Sequence, residues 1–224
     1  RDIFAASEQG IQDAKALGTI EEVAPRTWMI YLPLVNVVVF ETDEGLVLVD
    51  AGTAAEGPAI AELVASVSSM PIHTIIYTHG HSDHAFGTWA LVGDNPQIVA
   101  TDALVTRFDR YRKLRGSVAR YLGQPLESMP ETKDDMFYPT ATFSGTTEIV
   151  VGGESFVLRA HRGETDDQLY VWVPSRSVVA TADYYQGFLP NAGNGKRVQR
   201  HPEEWALALR EMASEKPALL LPAH

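Results

Sequence analysis

The feature that most restricts the fold of this chain is a cluster of histidines directly after an apolar segment. Residues Ile72–Thr78 are largely apolar, which predicts a strand that is buried on both faces. The sequence then continues as His-Gly-His-Ser-Asp-His over residues 79–84, which holds three of the seven histidines of the chain. Packed imidazoles and a carboxylate are costly to desolvate unless something coordinates them. The cluster therefore predicts a metal site at the end of a buried strand, rather than a polar turn whose histidines only cap strand ends.

The spacing within the cluster predicts two ions. In an extended turn, alternate residues project to the same side, so we expect His79, His81 and Asp83 on one side and His84 to approach from the other. His79 and His81 would then hold one ion, and Asp83 and His84 a second. Imidazole and carboxylate ligands suit Zn²⁺, Fe or Mn. Because the chain contains no cysteine, it has no disulfide, thiolate nucleophile or cysteine-based zinc site.

Composition excludes several classes of protein. With 224 residues, of which 45% are hydrophobic, the chain can form one sizeable core. Its 29 acidic and 18 basic residues give a net charge of −11, which argues against nucleic acid as a partner and leaves a small-molecule substrate. There is no apolar run of about eighteen residues and no visible secretory signal, so we expect a soluble cytoplasmic or periplasmic protein. The start at Arg1 without Met suggests processed or trimmed ends.

Periodicity predicts two blocks of strands with strand–helix alternation between them. Residues 1–20 form a weakly helical lead-in, residues 56–69 an amphipathic helix, residues 102–122 a long helix, residues 123–143 a long loop, and a last helix begins at Pro202. The predicted strands are Thr27–Leu32, Val35–Thr42, Leu46–Asp50, Ile72–Thr78, Gln97–Ala100, Thr146–Val151, Ser155–Ala160, Gln168–Val173, Ser177–Thr181 and Ala218–Leu221. Two sheets packed face to face with helices outside satisfy this order in one domain spanning residues 1–224.

The histidine cluster, preceded by Leu-Val-Asp-Ala-Gly at residues 48–52, resembles the metallo-β-lactamase superfamily. The resemblance extends from about Thr27 to His224 and implies a four-layer αββα sandwich with a dinuclear metal site. It adds Asp183, after Val-Val-Ala-Thr-Ala, as the acid that bridges both ions, and His224 as a further ligand. It also implies that Asp50 supports the metal loop through hydrogen bonds without binding metal.

One position of the family pattern departs from its usual form. Most members have His after the Gly, where this chain reads Arg-Gly-Glu-Thr at residues 162–165. We prefer Glu164 as the ligand, and His161, three residues earlier, is the alternative. A carboxylate makes the first site harder, which makes Mn or Fe more plausible there than at an all-histidine site, although Zn²⁺ is the ion that we expect.

The resemblance implies a dinuclear metallohydrolase in which a metal-bridging hydroxide attacks an ester-type bond and Asp83 accepts a proton. Gly163-Glu164 and the segment from Asn191 to Trp205 look like the alkylsulfatase branch, which suggests an alkyl sulfate ester as the substrate. Alternatives on the same site are hydrolysis of a β-lactam, a lactone or a thioester, and sulfur dioxygenase chemistry at a single iron. A scaffold that has lost its metals is a further, non-enzymatic alternative. The candidate substrate contacts are Tyr185, Lys196, Arg197 and Arg200.

Overall fold

The computed structural model describes residues 8–123, 125–186 and 200–224. Its helices are α1 (Glu8–Leu17), α2 (Gly57–Val67), α3 (Ser82–Ala85), α4 (Asp102–Lys113), α5 (Arg115–Leu122) and α6 (Pro202–Ser214). Its strands are β1 (Thr19–Ala24), β2 (Thr27–Tyr31), β3 (Asn36–Glu41), β4 (Leu46–Val49), β5 (Ile72–Ile76), β6 (Gln97–Thr101), β7 (Ala141–Phe143), β8 (Thr146–Val151), β9 (Glu154–Ala160), β10 (Leu169–Val173), β11 (Val178–Ala182) and β12 (Leu219–Pro222). None of the helices in these residues is long and apolar enough to cross a membrane.

The strands form two mixed sheets. The first has the order β1-β2-β3-β4-β5-β6-β7, antiparallel from β1 to β4 and parallel from β4 to β7. The second has the order β12-β11-β10-β9-β8 and is antiparallel except for the parallel pair β11 and β12. The parallel strands of the first sheet all point their carboxyl ends to one edge.

Side-chain alternation in the strands creates three layers of core. In β3, Val37 and Val39 face the helices α2 and α4, whereas Val38 and Phe40 face the second sheet. The opposite face of the second sheet packs on α6 through a third cluster that includes Trp205. Both sheets are thus covered by helices on their outer faces, which confirms the predicted αββα arrangement.

Three sequence predictions about elements need correction. The predicted helix over residues 102–122 is divided at Leu114, where ψ is 21°, and Gly116, a poor helix former, lies just beyond the break. The predicted loop over residues 123–143 contains β7, and the helical lead-in ends before β1. Both missed strands lie at edges of the first sheet, where one is only three residues long and the other has no clear alternation of burial.

The ends of several strands meet at one edge of the sandwich. Asp50 follows β4 and the histidine cluster follows β5, while Asp183 and His224 follow β11 and β12 in the other sheet. Ala223 joins the sheets, because its carbonyl accepts a hydrogen bond from the Asn36 N–H at 2.7 Å. Loops beyond the carboxyl ends of parallel strands are the usual place for a ligand site in α/β folds.

Two residues at this edge adopt a left-handed backbone conformation that L-residues seldom take. Asp50 has φ 69° and Ala182 has φ 51°. Asp tolerates this region better than most residues, whereas Ala pays a steric cost there. Such strain persists only where surrounding structure enforces it, and it concentrates at functional sites.

Candidate metal centre

The histidine cluster does not form the extended turn that its spacing suggested. After His81, residues Ser82–Ala85 form the single helical turn α3, and the N–H groups of His84 and Ala85 both point to the His81 carbonyl. This turn places the imidazole of His84 beside that of His79, with ring centroids 4.0 Å apart, and His79, His84 and Asp183 offer ligand atoms within 4.8 Å of one another. The helical turn, not strand alternation, therefore determines where Asp83 and His84 face, and the two donor groups described below adjoin at His79 and His84.

The first donor group consists of His79, His81 and Glu164. One potential ligand atom from each of these residues lies within 4.8 Å of the other two. Nε2 of His79 is 2.9 Å from Nδ1 of His81, and Oε2 of Glu164 is 4.0 Å from the same Nδ1. The two residues from the β5 loop thus face a carboxylate from the loop after β9.

The second donor group consists of Asp83, His84 and His224, whose potential ligand atoms also lie within 4.8 Å of one another. Oδ2 of Asp83 is 3.6 Å from Nε2 of His84 and 3.5 Å from Nε2 of His224. The two histidine Nε2 atoms are 3.4 Å apart. This group joins α3 to the segment after β12.

Asp183 lies between the two donor groups. Its Oδ2 is 3.9 Å from His79 Nε2, and its Oδ1 is 3.5 Å from His84 Nε2 and 3.4 Å from His224 Nε2. Oδ1 is buried and has no hydrogen-bond partner among the residues that the structure describes. A buried carboxylate oxygen without a partner is costly, and a cation is the partner that its surroundings would suit.

Hydrogen bonds to Nδ1 fix the orientation of three imidazoles. Nδ1 of His84 lies 2.8 Å from Oδ2 of Asp50, and Nδ1 of His224 lies 2.7 Å from the Leu34 carbonyl. Nδ1 of His79 lies 3.1 Å from the Thr78 hydroxyl. In the neutral form of each ring, these contacts place the proton on Nδ1, so that Nε2 faces the site with a free lone pair.

Asp50 stands behind the second donor group. Its buried carboxylate accepts hydrogen bonds at 2.8 Å from the Thr78 N–H and at 2.8 Å from the Thr78 hydroxyl, in addition to its contact with His84. It therefore supports the loop that carries the cluster and does not itself lie in either donor group.

The pKa values of the four histidines are shifted in different directions. Burial lowers the pKa of His79 and His224 and, together with the positive charge of Arg107, lowers the pKa of His81 to about 3. Burial also acts to lower the pKa of His84, but the carboxylates around it raise that pKa to about 10.

The pKa values of two carboxylates in the site are also shifted in different directions. Burial raises the pKa of Asp183 to about 6, against the opposing effect of His84. Burial acts to raise the pKa of Asp83 as well, but positive charge on the neighbouring histidines His84 and His81 lowers it. Buried carboxylates crowded in this way are the setting in which a dication would be stabilised.

The side chains of the site are suited to bind divalent ions. Four imidazoles and three carboxylates converge, three of the imidazoles are oriented by their outer nitrogen, and one buried carboxylate oxygen lacks a partner among the described residues. This mixture of nitrogen and oxygen donors suits zinc, iron or manganese.

Of the two candidates after β9, the structure brings Glu164 to the donor group. His161 instead binds Oε2 of Glu211 at 2.5 Å and stacks on Tyr170. Glu164 also contacts Arg200 through Oε1, which leaves Oε2 as the oxygen that faces His81. One carboxylate oxygen is thus used by a guanidinium and the other points to the candidate ion.

The structure describes only two of the four predicted substrate contacts, Arg200 and Tyr185. Arg200 lies at the Glu164 side of the site, and its guanidinium is 6.0 Å from the centre of the Trp205 ring. Tyr185 is 48% exposed and lies two residues beyond Asp183. Lys196 and Arg197 lie outside the described residues.

Sequence reasoning missed one residue close to the site. Asp167 lies in a run of polar residues typical of a solvated turn, but it is only 1% exposed. Asp167 accepts a hydrogen bond at 2.6 Å from the Gly80 N–H, between His79 and His81. The available signal was its position two residues before the buried strand β10, where alternation places neighbouring residues on opposite sides.

The fold and the site define a family. The Metallo-beta-lactamase superfamily model matches residues 31–224, so the chain belongs to the metallo-β-lactamase superfamily. This confirms the resemblance that the histidine cluster suggested.

The chain is similar both to alkylsulfatases and to metallo-beta-lactamases. The linear primary-alkylsulfatase of Pseudomonas sp. (strain ATCC 19151) is 25% identical over 214 residues, which cover 82% of this chain and 40% of the relative. The structure of the sec-alkylsulfatase Pisa1 from Pseudomonas sp. matches 98% of this chain and 40% of its own, with TM-score 0.77 and 18% identity. A metallo-beta-lactamase from Pontibacter korlensis matches 92% of this chain and 91% of its own, with TM-score 0.64 and 18% identity. The chain thus spans less than half the length of these alkylsulfatases.

Proposed function

We propose that this chain is the metal-binding catalytic domain of a hydrolase that cleaves an ester-type bond, with an alkyl sulfate ester as the substrate class. The observation that carries the proposal is the convergence of donor atoms from four separate segments around a buried oxygen of Asp183 that has no hydrogen-bond partner within residues 8–123, 125–186 and 200–224. The similarity to alkylsulfatases supports the choice of substrate.

In this proposal two divalent ions, with zinc favoured, are held by the two donor groups. The first group is His79, His81 and Glu164, and the second is Asp83, His84 and His224. Asp183 would contact both, since its two oxygens face different histidines. A bound divalent ion supplies Lewis acidity and lowers the pKa of water from 15.7 towards about 7.

Asp83 is the proposed proton acceptor. Its side chain is 21% exposed, whereas the Asp183 side chain is 4% exposed, so Asp83 has access to a substrate that enters from solvent. Since its Oδ2 faces the histidines of the second donor group, its Oδ1 would hold the proton that is released when water reacts, and would deliver it to the leaving group. The histidines, whose outer nitrogens are hydrogen-bonded, serve to hold position rather than to exchange protons.

Arg200 and Tyr185 are the proposed substrate contacts within the described residues. Arg200 is a cation beside Glu164, on the side where a sulfate group would carry its negative charge. Tyr185 is exposed and could contact an alkyl chain. Lys196 and Arg197 remain proposed contacts by sequence position alone.

The test is turnover by purified protein loaded in turn with zinc, manganese and iron. The substrates are octyl sulfate, a p-nitrophenyl carboxylate ester, a lactone, a thioester and a chromogenic cephalosporin. We expect release of sulfate from octyl sulfate, and we expect it to disappear in the variants His81→Ala and Asp83→Ala. The same substitution at His73, which lies in β5 before the loop, is the control and should leave turnover intact.

Each alternative is a defined outcome of the same panel. Preference for the cephalosporin, the lactone or the thioester would replace the sulfate ester with that substrate. Oxygen consumption by an iron-loaded sample that is given an organic persulfide as an additional substrate would indicate sulfur dioxygenase chemistry instead. Protein that binds no metal and turns over none of the substrates would overturn the proposal altogether.

A further inference from the structure

Gly80 connects the two histidines of the first donor group, and its surroundings leave no space for a side chain. A Cβ at this position would lie 2.8 Å from Cδ of Arg107 and 3.2 Å from Oδ2 of Asp167. The backbone between His79 and His81 is therefore in direct contact with an ion pair that belongs to neither donor group.

Asp167 holds this backbone with both of its carboxylate oxygens in use. Oδ2 accepts the hydrogen bond from the Gly80 N–H at 2.6 Å, and Oδ1 accepts one from Nε of Arg107 at 2.6 Å. The Thr101 hydroxyl donates to the Asp167 carbonyl at 2.9 Å, which ties the segment to the end of β6. A carboxylate that is only 1% exposed is stable here because each oxygen has a donor.

The neighbouring residue shows that burial of this carboxylate is specific. The side chain of Asp166 is 56% exposed and binds His201 on the outer side of the loop. The two aspartates have the same charge and adjacent positions, but only Asp167 reaches the backbone of the metal loop. Asp166 therefore provides a matched control.

We propose that Asp167, braced by Arg107, is a positioning residue that sets the separation of His79 and His81 through the Gly80 N–H and so fixes the affinity of the first donor group for its ion. The inference rests on the proposed function, because it takes His79 and His81 to be ligands. Removal of the carboxylate frees the Gly80 N–H and lets the loop relax while every proposed ligand stays in the chain. Outer partners of this kind typically change metal affinity by about 10–100-fold when they are lost.

The experiment is a zinc titration of metal-free protein, followed by thermal unfolding of each variant with and without zinc. In Asp167→Ala we expect the dissociation constant of the ion in the first donor group to rise about tenfold or more, with that of the other ion unchanged. Asp167→Asn keeps an oxygen for the Gly80 N–H but loses the ion pair with Arg107, so its effect should be smaller. Asp166→Asn should behave as wild type.

The zinc-dependent rise in Tm separates positioning from general stability. A purely structural defect lowers Tm equally with and without zinc, whereas weaker binding reduces the rise itself. A wild-type rise in both Asp167→Ala and Asp167→Asn would overturn the inference and leave the proposed function intact. If Asp167→Ala does not fold, Asp167→Asn and Arg107→Lys decide the same question by the same readout. A wild-type protein that binds no zinc would overturn both proposals.

Discussion

The two donor groups are supported in different ways. In the second group, Asp50 contacts the imidazole of His84 directly, and the Leu34 carbonyl contacts that of His224. In the first group, Asp167 reaches only the backbone between His79 and His81. In the second group both imidazoles are thus oriented by a contact to Nδ1, whereas in the first only His79 has such a contact and His81 depends on the path of the loop.

Exposure differs between individual ligands, since each group contains one fully buried histidine, His79 or His84. The side chain of His84 is fully buried, but that of His81 is 32% exposed. A ligand that is exposed and held through its backbone should be more easily displaced than one that is buried and hydrogen-bonded. The two ions should therefore bind with unequal affinity.

Complete removal of metal should abolish turnover, and its return should occur in two steps. Zinc added to chelator-treated protein should first fill the group of Asp83, His84 and His224, because two of its imidazoles are already oriented. Elemental analysis during the titration should resolve two binding constants at least about tenfold apart. In His81→Ala only the tighter step should remain, and in His224→Ala only the weaker one. A single step for two ions in the wild type would contradict the comparison.

Loss of a buried histidine should cost more stability than loss of an exposed one. His84→Ala removes the partner of the buried Asp50 carboxylate, so we expect the free energy of unfolding of metal-free protein to fall by about 3 kcal/mol. His81→Ala should lower it by less than about 1 kcal/mol, since that side chain is partly exposed. Urea unfolding of both variants in the presence of a chelator makes the measurement. Equal losses in the free energy of unfolding would mean that the exposure of a histidine does not determine its contribution to stability.

The sequence predicted the half of the site that is continuous along the chain. His79, His81, Asp83 and His84 fall within one short segment, so a metal site could be inferred from chemistry and spacing alone. Glu164, Asp183 and His224 lie far apart in sequence and were reached only through resemblance to a family. Their approach depends on how the two sheets pack, which no local pattern encodes.

Other features could not be predicted from the sequence because tertiary contacts override local patterns. The helical turn α3 replaced the expected extended turn, and the edge strands β1 and β7 carried too few buried residues to give a period. Asp167 could not be separated from Asp166 by composition, since its burial depends on a donor some eighty residues away at Gly80. The fold class was predictable because strand and helix order together limit the layers.

Neutralising Glu164 should lower the zinc affinity of the first donor group alone. Glu164→Gln keeps the length of the side chain but removes a charged ligand, so we expect the affinity for the weaker-bound zinc to fall about tenfold. The tighter ion should be unaffected. Glu203→Gln makes the same change at an exposed position on α6 and should alter neither constant. If Glu164→Gln weakened both ions equally, the separation into two groups would not hold.

The smallest effect should come from two buried threonines that differ in what they contact. Thr78→Val removes the hydroxyl that donates to the Asp50 carboxylate, and Thr101→Val removes the one that donates to the Asp167 backbone carbonyl. Each should lower the free energy of unfolding by about 1 kcal/mol, because valine preserves the shape but not the hydrogen bond. Only Thr78→Val should also weaken the tighter-bound zinc, by about fivefold at most, since only Asp50 contacts an imidazole of that group, and it should weaken the other zinc as well, since the same hydroxyl contacts Nδ1 of His79. Zinc titrations of the two variants make the comparison, and equal affinities would show that the Asp50 carboxylate keeps its position without the Thr78 hydroxyl.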